Sequence, residues 1–168
     1  MEAWIRKSSL FLVYLASFLL ILVIIVTVLN IGAFGLDKLT RMFGYNVEGL
    51  AGYEDFVKLC ISSIALMFFP WTQYERGHVS VDFFADKLSN KIQIYLDKIW
   101  LIVTFFFVLF LAYFMFLGML EAREDDAMSS ILGWSIWPFY VPGIISLILW
   151  AIIIFYQVLF KRSALNDG

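Results

Sequence analysis

Glu75, Arg76, His78 and Asp82 fall within one short block, Glu75-Arg76-Gly77-His78-Val79-Ser80-Val81-Asp82. Two carboxylates, a guanidinium and an imidazole are the groups from which acid–base and metal sites are built. An imidazole titrates near neutral pH, so His78 is a candidate general base. A His–carboxylate metal site is the other chemical reading. Both are incomplete. His78 is the chain's one histidine, Cys60 is its one cysteine, and no nucleophile with a positioned base accompanies them. The plainer reading is a turn at a membrane exit, with solvated charges and one capping interaction. A third makes Glu75 and Arg76 fixed contacts to another membrane protein. An exposed pair contributes only ~0–1 kcal/mol. Stranding one charge of a buried pair costs more.

A second charged group lies at Glu54, Asp55 and Lys58. Acids are favourable at a helix N-terminus. Lys58 stands one turn on, where it can pair with Glu54 at i,i+4 or Asp55 at i,i+3. A local helix start and a partner contact are both open readings of Glu54 and Lys58.

The elements that position these groups are membrane helices. Of 168 residues, 62% are hydrophobic and 15% charged. A soluble domain of this length could not hide that much apolar surface. The fold class is therefore an all-α integral membrane protein, one membrane domain over residues 1–168. Net charge is −2, which gives no sign of nucleic-acid binding. A single cysteine excludes an intrachain disulfide.

Four apolar runs each supply the ~20 residues that cross a ~30 Å hydrocarbon core. They cover about 10–30, 55–74, 99–120 and 138–160. The first is too long for a signal peptide and has no cleavage site after it. Between the first two, residues 31–52 form a glycine-rich connector, in which Leu36, Leu39, Met42 and Phe43 fall at helical spacing. A short interfacial helix and an ordinary loop both fit there. In the second crossing, Pro70 removes a backbone donor and should kink or end the helix. Trp71 and Tyr74 then mark the interface. Val81, Phe84, Leu88, Ile92, Tyr95 and Ile99 recur at helical spacing with Asp82, Asp86, Asn90, Gln93 and Asp97 opposite. This pattern predicts an amphipathic interfacial helix over about 80–97, between the second and third crossings.

The third crossing carries phenylalanine on all sides, and Gly118 offers a place for close helix contact. An acidic stretch, Glu121 to Asp126, ends the membrane pattern. Pro138 and Pro142 suit the first turn of the last helix. Arg6, Lys7, Arg76, Lys87, Lys91, Lys98, Lys161 and Arg162 share one side, eight against the four of Lys38, Arg41, Lys58 and Arg123. That bias predicts both termini in the cytoplasm.

On these residues the chain resembles the small membrane (Q) subunit of tripartite ATP-independent periplasmic (TRAP) transporters. The likeness rests on Glu54 opening the second helix within Tyr-Glu-Asp-Phe and on the block from Glu75 to Asp82 with its apolar continuation to Leu88. Gly77-His78-x-x-Val81-Asp82 is its most specific part. Gly133 to Gly143 also looks like the aromatic–proline approach to that family's last helix. Tyr53 stands where the family usually has tryptophan. The resemblance implies a bacterial inner-membrane subunit that is not an enzyme. It implies pairing with a large multi-helix permease subunit and, through the complex, with a periplasmic substrate-binding protein. It further implies sodium-driven import of an organic acid, of the sialic acid or C4-dicarboxylate class. This chain would hold no cofactor, with sodium bound in the large subunit, and would act as a scaffold. Glu54, Lys58, Glu75, Arg76, His78 and Asp82 are then candidate partner-interface or structural residues.

The alternatives are a self-contained four-helix transporter or channel and a membrane enzyme using the 75–82 block. A transport site needs polar or ionisable groups at mid-membrane. The cores of crossings one, three and four carry no charge.

Overall fold

The computed structural model describes residues 2–75 and 90–160. Four long helices account for most of them: α1 (Glu2–Thr40), α2 (Tyr53–Tyr74), α3 (Asn90–Glu124) and α4 (Val141–Phe160). All four are long and apolar enough to cross a membrane. No strand occurs among the described residues, only an isolated bridge between Met128 and Ser135.

The helices stand in a row, α1–α2–α4–α3. α1 packs on α2, α2 on α4, and α4 on α3, while α1 and α4 barely touch. The two central helices run in the same direction, and each flanking helix runs against its neighbour. We call the end holding the α1–α2 and α3–α4 connections the loop end.

The α1–α2 seam has heptad spacing. Ser9, Ala16, Val23 and Asn30 are buried at seven-residue steps on α1, alternating with Ile5 and Leu12. Of these, Ile5, Leu12, Ala16 and Val23 share a core with Cys60, Ile64 and Met67 of α2 and with Leu149 and Ile153 of α4. This is the packing period of a left-handed helix pair. A second core joins α3 and α4 through Val108, Leu147, Trp150, Ala151 and Ile154. On α3, Val108 is fully buried and Phe105 meets Phe155, while Phe106, Phe107, Phe110 and Phe114 remain exposed. One stripe of the phenylalanine-rich helix therefore packs on α4, and the rest faces outward.

Three expectations need revision. The 31–52 connector, read as either a short interfacial helix or an ordinary loop, instead begins as a continuation of α1, which runs unbroken to Thr40 and closes with a 3-10 turn at Arg41–Phe43. A single glycine costs a helix only ~1 kcal/mol, and Gly32 and Gly35 sit within it. Pro70 does not end α2, which continues to Tyr74. The close helix contact is not at Gly118, where an added Cβ would meet only Tyr140 at 3.5 Å. It is at Gly143, where a Cβ would lie 2.5 Å from Met115 Cε and 3.1 Å from Leu66 Cδ1. That glycine lets α4 approach both neighbours. Of the amphipathic stretch, residues 80–89 lie outside the described residues, and 90–97 continue into α3 without a break.

After the 3-10 turn the chain doubles back along α1. Asp37 Oδ1 accepts from Val47 N at 3.0 Å and Asn30 Oδ1 from Leu50 N at 2.9 Å. Those bonds satisfy backbone donors that no secondary structure pairs.

Candidate functional site

Glu54 and Lys58 do meet, at 3.3 Å across one helical turn. Their side chains are 54% and 73% exposed, and Tyr53 donates its hydroxyl to Glu54 Oε1 at 3.3 Å. The group is a local surface pair at the start of α2. Glu75 closes the other end of that helix, its N–H donating to Trp71 O at 2.9 Å. Arg76, His78 and Asp82 lie outside the described residues, so Glu75 is the one member of that block placed here.

The residue between the surface pair behaves differently. Asp55 is 7% exposed, and its Oδ2 accepts from Ile131 N at 2.6 Å and Leu132 N at 3.1 Å. A carboxylate receiving two backbone donors makes strong, charge-assisted bonds. It anchors the tip of the α3–α4 connection, a small hairpin in which Ser129 N donates to Trp134 O and Ile136 N to Ala127 O. Gly52, at φ +80°, precedes it, and a Cβ there would strike Leu132 Cδ2 at 2.5 Å. Glycine is needed for both reasons. Trp134 then stacks on Phe139 at 6.2 Å and sets its edge against Phe56 at 6.4 Å.

Deeper in the layer, α2 and α4 exchange serine bonds. Ser63 Oγ of α2 donates to the Phe139 carbonyl, whose neighbour three residues on, Pro142, has no N–H to offer. Ser146 Oγ of α4 donates to Leu66 O at 2.7 Å. Leu66 is the residue whose helical partner would be the N–H that Pro70 lacks. Hydroxyls commonly satisfy such freed carbonyls in membrane helices.

Toward the other end, Gln73 Nε2 donates to Gln157 Oε1 at 2.7 Å, Gln157 Nε2 to Gln73 O at 3.0 Å, and Trp150 Nε1 to Gln73 Oε1 at 3.1 Å. Both glutamines are buried. Among the described residues, Ser9 Oγ is a buried side-chain polar atom with no hydrogen-bond partner.

Sequence reasoning passed over Ser63, Gln73, Ser146 and Gln157, and read Asp55 only as a helix-start acid. The one usable signal was polar residues at helical positions inside apolar runs, together with a proline lacking its usual donor.

Two depressions among the described residues are large enough to consider as sites. One of about 220 Å³ lies at the loop end between Asn30, Leu50 and Tyr53. The other, of about 240 Å³, is apolar and lies between Leu19, Leu59 and Pro142. Neither gathers a convergent set of free polar groups, since Asn30 in the first and Ser63 in the second are already bonded within the chain. No group of three or more potential metal ligands occurs among the described residues.

A family model described as "Tripartite ATP-independent periplasmic transporters, DctQ component" matches residues 31–162. No curated protein and no solved structure matches the chain.

Proposed function

The chain belongs to the DctQ component family of tripartite ATP-independent periplasmic transporters, and on that premise we propose that it is the scaffold of its transporter rather than the element that binds cargo. One observation carries this reading. Of the seven buried polar side chains among the described residues, Asn30, Asp55, Ser63, Gln73, Ser146 and Gln157 bond to other parts of the same chain, which leaves the single hydroxyl of Ser9. A hydrophilic cargo at mid-membrane needs polar partners that are free to receive it. The open row of helices supports the same reading, because a row has two flat faces and encloses no path.

In this proposal the partner is the large permease subunit, which holds substrate and sodium. A periplasmic binding protein delivers the substrate, an organic acid of the sialic acid or C4-dicarboxylate class. The chain sits in the bacterial inner membrane with both termini in the cytoplasm, in keeping with the lysine and arginine bias. Glu54, Lys58, Glu75, Arg76, His78 and Asp82 serve as contacts or local structure, and the chain holds no cofactor.

Reconstitution tests it. Liposomes holding this chain alone should show no sodium-driven uptake, and uptake should appear when the large subunit and binding protein are added. Uptake by this chain alone would overturn the proposal in favour of a self-contained transporter.

A further inference from the structure

The apolar depression beside α2 is a groove in one face of the row. Leu59, Cys60 and Ser63 of α2 line it, with Leu19 of α1 on one side and Phe139 and Pro142, at the start of α4, on the other. The packing explains the gap. Away from the loop end, Ile5 and Leu12 of α1 share a core with Leu149 and Ile153 of α4. Nearer the loop end α1 and α4 do not close over α2, and about 240 Å³ stays open between them.

The groove lies within the hydrocarbon layer. α2 has 22 residues, about 33 Å at the helical rise, so its two ends stand at the two surfaces of a ~30 Å core. Tyr53 is at one surface, and Leu59 and Ser63 lie about 9 and 15 Å below it. The groove therefore belongs to the loop-side leaflet and ends near the midplane. Water does not fill such a space, because an ordered water needs several polar partners. The hydroxyl of Ser63 already donates to the Phe139 carbonyl. Left empty, the walls would forfeit their dispersion contacts on one side.

A free donor stands above the groove. Phe56 precedes Leu59 and Ser63 at i,i+3 and i,i+7, so it lies on the same face of α2. Trp134 sets its edge against Phe56 and stacks on Phe139, which lines the groove. The indole is 45% exposed. Its backbone N–H donates to Ser129, and its Nε1–H has no acceptor among the described residues. Tryptophan at this level combines an apolar body with a donor for the polar side of the interface. Phospholipid has the matching chemistry, hydrocarbon below and ester and phosphate oxygens above.

We propose that this groove is a lipid site. It holds one acyl chain of a loop-side phospholipid, and Trp134 Nε1 donates to an ester or phosphate oxygen of the same molecule. The lipid fills the space that α1 and α4 leave over α2. The assignment is independent of the transporter role, so it stands or falls apart from the uptake experiment.

Native mass spectrometry tests it. The full chain is purified from bacterial membranes, with whatever subunits accompany it, and washed in detergent until loosely held lipid is gone. One phospholipid should persist per chain. Leu59→Trp fills the groove and should lower its occupancy about tenfold or more, while Ile61→Trp, on the exposed face of α2, should leave it unchanged. Trp134→Phe keeps both ring contacts, removes the donor and should lower occupancy severalfold with thermal unfolding preserved. No retained lipid, equal occupancy in Leu59→Trp, or equal loss in Ile61→Trp would overturn the proposal. Unchanged occupancy in Trp134→Phe would overturn the role of the indole. Benzoylphenylalanine at Leu19 should give a phospholipid adduct on irradiation, and an adduct with protein alone would place a polypeptide in the groove and overturn the lipid assignment.

Discussion

Ser146 completes the helix that Pro70 interrupts. Its hydroxyl, on α4, occupies the Leu66 carbonyl of α2 at 2.7 Å, in the place of the N–H that proline lacks. A break in one helix is thereby converted into a link between two. Ser146→Ala should destabilise the chain by about 1 kcal/mol, in the range for hydrogen bonds between membrane helices. In a Pro70→Ala background the carbonyl regains a partner in its own helix, so the same substitution should cost much less. Unfolding in detergent for the four members of this cycle reads the coupling. Equal costs in both backgrounds would show that the bond is incidental.

The adjacent acids Glu54 and Asp55 should respond in opposite ways. Glu54→Ala removes one partner of an exposed pair, worth ~0–1 kcal/mol. Asp55→Ala strands the Ile131 and Leu132 N–H groups under a hairpin that packs on Phe56. Amide exchange at those two positions should accelerate about tenfold or more, equivalent to ~1.4 kcal/mol of lost protection. It should be unchanged in Glu54→Ala.

The buried glutamines form a unit with Trp150. Gln157→Leu leaves the Gln73 amide in an apolar layer without its partner, which should cost about 1–3 kcal/mol. The double change Gln73→Leu with Gln157→Leu should recover part of that, because the two amides leave together, the remaining cost being the Gln73 Oε1 acceptor that Trp150 Nε1 loses. A double variant as unstable as the sum of the singles would argue against a shared network.

Gly143 leaves no room for a side chain between α4 and its neighbours, since a Cβ there would lie 2.5 Å from Met115 Cε. Gly143→Leu should cost about 1–3 kcal/mol through overpacking against Met115 and Leu66. Met115→Ala should restore much of the loss, since the clashing group is the end of a flexible side chain. Comparison of thermal unfolding with and without Met115→Ala checks this.

Much of the architecture is legible in the residues alone. Four apolar runs of membrane length dictate four crossings, because hydrocarbon tolerates no unpaired backbone. The course of α1 beyond Leu29 is not legible. Gly32, Gly35 and three charges there read as a connector, and only the return bonds to Asn30 and Asp37 show why the helix persists. Helix order in the row is hidden for another reason. Side chains that are apolar all round carry no periodicity to mark a packed face, so Phe105 cannot be told from Phe106. Asp55 is read as a local helix-start acid because its partners, Ile131 and Leu132, are 76 and 77 residues away.

The parallel placement of α2 and α4 at the centre has a consequence for biogenesis. Gln73 is translated 84 residues before Gln157, so at ~5–20 residues per second the ribosome needs roughly 4–17 s to supply the partner. Throughout that interval the nascent α1–α2 hairpin presents a proline-freed carbonyl and an unmatched amide to the insertion machinery. One side of α2 therefore stays without its native partner until the last helix emerges.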